Sequence, residues 1–147
     1  MHKLSLTVQY ASKAENLPTR HQFRRWTKAA LQHDAQIVFR IVDEAEGREL
    51  NRNFRGKDYA PNVLTFVYDE EKPLYGDIVV CAPVVEREAG EQRKDLSAHY
   101  AHLAVHAILH LQGYEHEEDA AAAAMEARET AIMIKLGYAD PYQGVVS

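Results

Sequence analysis

Strand-type patterning in this chain stops at residue 81, and everything beyond it is patterned as helix. Before that point four short stretches alternate apolar with polar residues or concentrate β-branched ones. They are residues 3–10 (with Leu4, Leu6, Val8 and Tyr10), 36–42, 63–68 and 76–81. Two helical segments are interleaved with them. One runs from Arg20 to about His33 behind Thr19 as its N-cap, with Phe23, Trp26, Ala30 and Leu31 at helical spacing. Trp26 shares the Phe23 face, so it reads as core rather than as a base-stacking platform. The other runs from Asp43 to Phe54, with Leu50 and Phe54 on its inner face and Gly56 ending it. Three helices follow residue 81: Pro83 to about Gly90, a helix N-capped by Ser97 and ending at Gly113, and Glu117 to about Leu136. The last carries Met125, Ile132, Met133 and Leu136 as its apolar stripe, and Gly137 and Pro141 stop it. The order β-α-β-α-β-β-α-α-α predicts an α+β fold, with a single domain over residues 1–147 and about five helices packed on a mostly four-stranded sheet.

At 147 residues the chain is long enough for one substantial core. Its net charge of −5 argues against a broad nucleic-acid surface, but the charge is unevenly spread. Residues 1–60 hold 11 Lys and Arg against 7 Asp and Glu, and residues 61–147 hold 6 against 15. The first part is thus able to present a basic face to an anionic ligand. No apolar run is long enough to span a bilayer, and the alternating N-terminus lacks the continuous apolar block of a signal peptide. Cys81, the only cysteine, excludes an intramolecular disulfide and sits in an apolar run, where it reads as a buried, inert thiol. These features together predict a soluble cytoplasmic protein with no membrane partner.

Five of the eight histidines fall between residues 99 and 116. His102, His106 and His110 form one i, i+4 row, so neighbours in the row stand one turn apart on one helix face. His102 and His110 lie about 12 Å apart along the axis, too far to share an ion. Gly113 chooses between the remaining pairs, because the reversal it permits returns the chain, and with it His116, toward His110. His106, His110 and His116 are therefore the candidate metal ligands. Three neutral imidazoles leave the fourth position of a tetrahedral Zn²⁺ open, which marks a catalytic rather than a structural site. Imidazole also suits Ni, Cu and Fe. The spacing equals that of the metzincin peptidases, but Ala107 stands where those enzymes carry their general-base glutamate, which counts against a peptidase. Glu115, Glu117 and Glu118 flank His116 and read as solvated charges at a helix start.

A second constellation, Leu50 to Asp58, places Arg52, Arg55 and Lys57 within six positions. A metal that hydrolyses a phosphodiester needs a partner cation for the charge that gathers in the transition state, and the guanidinium fork matches phosphate oxygens. Arg55, at a helix end beside Gly56, is the candidate for that role, and Lys57 is a candidate for substrate binding.

Joined together, these motifs resemble the YbeY family of bacterial metal-dependent endoribonucleases and ribosomal RNA maturation factors. The resemblance rests on His106-x3-His110-x2-Gly113-Tyr114-x-His116, on Leu50-Asn51-x3-Arg55-Gly56-Lys57-Asp58 followed by Asn62-Val63-Leu64-x-Phe66, on Gly76-Asp77-Ile78 and on Leu136-Gly137-Tyr138. It implies a zinc ion on the three histidines, a functional Arg55, and cleavage of single-stranded RNA. It also implies a role in small-subunit ribosomal RNA maturation and ribosome quality control, with the small ribosomal subunit and its proteins as partners. Ala107, Glu115, Pro61 and Val67 depart from the family's usual Gly, Asp, Thr and Pro; none is a ligand. Two other readings compete with it: a ribosome-assembly factor whose metal is mainly structural, and a metallohydrolase acting on a non-nucleic substrate.

Overall fold

A computed structural model of the chain describes residues 3–69, 73–115 and 117–142. Its elements come in the expected order. They are β1 (Leu4–Ala11), α1 (Arg20–Ala30), β2 (Ala35–Val42), α2 (Glu44–Arg55), β3 (Val63–Asp69), β4 (Leu74–Cys81), α3 (Ala82–Glu91), α4 (Leu96–Leu111) and α5 (Asp119–Lys135). The four strands form one sheet in the order β1-β2-β4-β3. β1, β2 and β4 run parallel, and β3 turns back antiparallel against β4 as the outer strand. Parallel neighbours need crossover connections, and α1 and the α2–β3 passage supply them.

The two faces of the sheet are unequal. Ile37, Phe39 and Ile41 of β2 and Leu74, Ile78 and Val80 of β4 face the main core, against Phe23 and Trp26 of α1 and Ile108 and Leu111 of α4. Trp26 is fully buried, edge-on to Phe23 at 5.5 Å between ring centres. Among the described residues the opposite face carries a smaller cluster, Val42, Leu64, Val79 and Cys81 with Val84 of α3, beneath α2. Cys81 is buried there, as expected for an inert thiol, and burial pushes its pKa up to about 11.

α4 is the helix around which the rest packs. Ten of its sixteen residues are buried, so it is apolar nearly all round, as a central helix must be. Past its first turn the residues that are not buried are His102, His106 and His110. Its N-cap is Asp95, whose carboxylate accepts from the Ala98 amide at 3.0 Å, and not Ser97, which lies inside the first turn. Both residue types cap well; the one two positions earlier meets the third amide of the helix. α1 starts behind Thr19 in a reciprocal capping box with Gln22 and ends at Ala30, three residues short of His33.

Phe54 corrects a second expectation. It is on the side of α2 that faces the sheet, but it lies over the outer strand β3, where a single ring covers it. Phe54 meets the ring of Phe66 edge to face at 5.4 Å and stays 67% exposed. Among the described residues no helix is long and apolar enough to cross a membrane.

Candidate active site

His106 and His110 of α4 look into a cleft of about 500 Å³, whose other wall is the end of α2 and the outer strand. Its lining includes His106 and His110 from α4, Phe54 and Arg55 from α2, and Asn62 to Phe66. The structure thus brings Arg55 to the same cavity as the two histidines, from the other side of the sheet edge.

His106 and His110 differ from His102 in attitude. Their rings are parallel within 3° at 6.4 Å between centres, whereas His102 is turned across His106 at 78°. Each ring of the parallel pair has its Nδ1 engaged. His106 Nδ1 meets Oε1 of Glu129 in a short hydrogen bond, and His110 Nδ1 donates to the Tyr114 carbonyl at 3.1 Å. A carboxylate and a carbonyl only accept, so both rings carry the proton on Nδ1, which is the tautomer that ligates a metal through Nε2.

The Tyr114 carbonyl reaches His110 because of the turn after α4. Gly113 takes φ +98°, a left-handed conformation that glycine adopts without Cβ strain, and the Tyr114 amide closes onto Leu109 O at 3.2 Å. The chain therefore does reverse over the last turn of the helix, as Gly113 predicts. His116, the third candidate ligand, lies outside the described residues. Among the described residues no three His, Cys, Asp or Glu side chains are grouped to hold a metal ion. What is present fits two of three ligands: paired imidazoles, each oriented by an acceptor behind it, on a helix that is rigidly packed. Nitrogen donors of this kind suit Zn²⁺.

Glu129 was not among the candidates from sequence. It lies on α5, is fully buried, and receives His106 on one oxygen and both His102 (3.3 Å) and the Tyr142 hydroxyl on the other. Burial alone raises a carboxyl pKa, but the hydrogen bonds from His102, His106 and Tyr142 outweigh it and hold the group at about 2. The sequence does carry a signal for it. Glu129 interrupts the Met125–Ile132–Met133 stripe at helical spacing, and a charged residue on an apolar face has to find a partner. The acidic residues beside His116 that sequence draws attention to, Glu115, Glu117 and Glu118, are exposed.

The cations of α2 divide by position. Arg48 and Arg52 turn to Asp58, at 2.7 and 3.9 Å, while Arg55 makes no ion pair among the described residues and lines the cleft. Gly56 ends the helix in the left-handed region, its amide on Arg52 O at 3.1 Å, and so fixes where Arg55 leaves it. Lys57 is exposed just past that cap and is not among the cleft-lining residues. On the β3 side the Asn62 amide donates to both oxygens of Glu88, at 3.2 and 3.3 Å, and Glu88 also holds the buried His99 at 3.0 Å. Ala107, where a metzincin places its base, is fully buried in the core.

Residues 7–137 match the family described as endoribonuclease YbeY. Over 97% of its length the chain is 61% identical to endoribonuclease YbeY of Nitrosospira multiformis, covering 83% of that protein. It is 58% identical to the protein of that name from Methylobacillus flagellatus, over 97% of this chain and 95% of that one. In three dimensions it is similar to a solution structure of a Thermotoga maritima protein, with TM-score 0.64, 29% identity, and coverage of 94% of this chain and 99% of the other.

Proposed function

This chain belongs to the YbeY family, and we propose that it is a zinc-dependent endoribonuclease that cuts single-stranded RNA, acting on ribosomal RNA in small-subunit maturation and ribosome quality control. The observation that carries the proposal is the meeting of Arg55 with His106 and His110 in one cleft. His106 and His110, with His116, hold the zinc. When bound, that ion supplies positive charge to a phosphoryl oxygen and acidifies water. Arg55 grips the scissile phosphate with its fork and offsets the negative charge that builds as the phosphorus–oxygen bond breaks. Glu129 keeps the His106 proton on Nδ1 and the ring in place. The substrate partners are single-stranded ribosomal RNA and the small ribosomal subunit with its proteins, in the cytoplasm.

The test is metal content together with cleavage of an end-labelled single-stranded RNA, for wild type and His116→Ala. The proposal expects one zinc per chain and endonucleolytic products in wild type, and loss of both in the variant. No metal in wild type, or undiminished cleavage by His116→Ala, overturns it. The product ends identify the nucleophile: a 2′,3′-cyclic phosphate means that the RNA 2′-hydroxyl attacked, and a linear phosphate means water.

A further inference from the structure

Four aromatic rings, one on α2, two on the outer strand β3 and one on β4, extend from the cleft over the outer part of the sheet. Phe54 and Phe66 line the cleft itself, edge to face. Phe66 pairs across the ladder with Asp77 of β4. Asp77 accepts the Tyr68 hydroxyl at 2.9 Å, and the Tyr68 ring meets Tyr75 at 5.6 Å, again edge to face. The ladder register shifts between Val67 and Asp69, which leaves Tyr68 without a strand partner and lets its ring reach β4. Three of the four rings face solvent: Phe54 at 67%, Tyr68 at 62% and Tyr75 at 44%. Large rings left open beside a cleft, linked across one strand ladder through Asp77, mark a binding surface rather than leftover core.

We propose that this stripe is the stacking track for the bases of the RNA that flank the scissile phosphate, and that it selects single strands. The proposal rests on the endoribonuclease reading of the cleft. Phe54 and Arg55 are consecutive, so a phosphate held by Arg55 brings a neighbouring base within reach of the Phe54 ring. Tyr68 and Tyr75 then take the bases beyond it, roughly two or three in all. The charge of the stripe fits bases and not backbone. Its central polar group is the Asp77 carboxylate, which repels phosphate, so the phosphates turn toward solvent while the bases lie on the rings. Asp77 also anchors the Tyr68 hydroxyl, which orders that ring before RNA arrives. A duplex hides its base faces by stacking them on one another, and only unpaired bases are able to use such a platform.

The test is equilibrium binding of 2′-O-methyl RNAs of about three and about eight nucleotides, verified intact after each titration, to the zinc-loaded full chain. A 2-aminopurine placed at successive positions reports stacking. The longer RNA should bind wild type at least about 5-fold more tightly per additional stacked base, with 2-aminopurine fluorescence quenched on one side of the cleft. In Tyr68→Ala and Tyr75→Ala that length advantage and the quench should collapse, with no change in the salt dependence. Tyr68→Phe should keep most of both. Arg55→Ala should instead lower the slope of log K against log salt by roughly 0.7. These rings are exposed, so circular dichroism should show the variants folded. A length advantage that survives Tyr68→Ala combined with Tyr75→Ala overturns the track and leaves the nuclease reading standing. Absence of RNA binding by wild type, or binding indifferent to Arg55→Ala, overturns the nuclease reading and the track with it.

Discussion

Replacing Glu129 by glutamine should weaken folding and metal binding together. The carboxylate is fully buried and accepts from three donors, His106 on one oxygen and His102 and Tyr142 on the other. Glutamine keeps the shape but offers one acceptor and one donor. Its carbonyl can serve His106, and its amide then faces groups that must give up their role as donors. Hydrogen bonds to a charged partner contribute about 1.5–3 kcal/mol each, so losing the charge and mismatching one side costs about 2–4 kcal/mol. For a chain of this size that lowers Tm by roughly 5–15 °C. Because Glu129 sets the tautomer of His106, zinc affinity should also fall, by about 10- to 100-fold. The assays are thermal melts of the metal-free protein and zinc competition against a chromogenic chelator. Glu129→Ala should be worse for stability, since it adds a cavity and strands all three donors. If Glu129→Gln melts lower but binds zinc like wild type, the carboxylate is a structural link between α4 and α5, and its assigned role behind His106 is wrong.

Three other outcomes follow from local features. Burial raises the Cys81 thiol from 9.0 to about 11, so the stability it contributes is complete below pH 9 and is lost as pH rises through 11, up to about 2.5 kcal/mol; urea melts should show Cys81→Ala less sensitive than wild type across that window, and equal slopes would refute the burial argument. Gly113→Ala meets no atom of the described residues within 4 Å, so its effect is conformational: about 1–2 kcal/mol of destabilisation by denaturant melts, with weaker zinc binding because the Tyr114 carbonyl behind His110 shifts. Asp95→Ala should remove the α4 cap and cost about 1 kcal/mol in the same melts, whereas Ser97→Ala should cost less than half of that.

Much of the fold was legible because its cues are local. Alternation, β-branched runs and turn residues identified every strand and helix in order, and Thr19, Gly56 and Gly113 act where their chemistry says. What local cues leave open is where elements meet. Nothing in the periodicity of α2 says that Phe54 meets only the outer strand, so an inward-facing ring by pattern is an exposed one in fact. Asp95 and Ser97 are equal cappers until the helix start is seen. Glu129 shows the same limit at the site: its spacing within an apolar stripe announces a buried charge, but its partners depend on how α5 crosses α4. The choice of His106 and His110 over His102 followed from helix geometry and one glycine, and their placement beside Arg55 depended on folding that motifs alone do not describe. Lys57, grouped with Arg55 by sequence, is separated from the cleft lining by the helix cap between them.

The most direct measurement of the central claim is the cleavage rate of a single-stranded RNA by zinc-loaded Arg55→Ala, with zinc content measured on the same sample. Zinc content should be unchanged and the rate about 10²- to 10³-fold below wild type, because the histidines hold the metal and Arg55 acts on the phosphate. Cleavage at the wild-type rate by a fully loaded Arg55→Ala protein would contradict it.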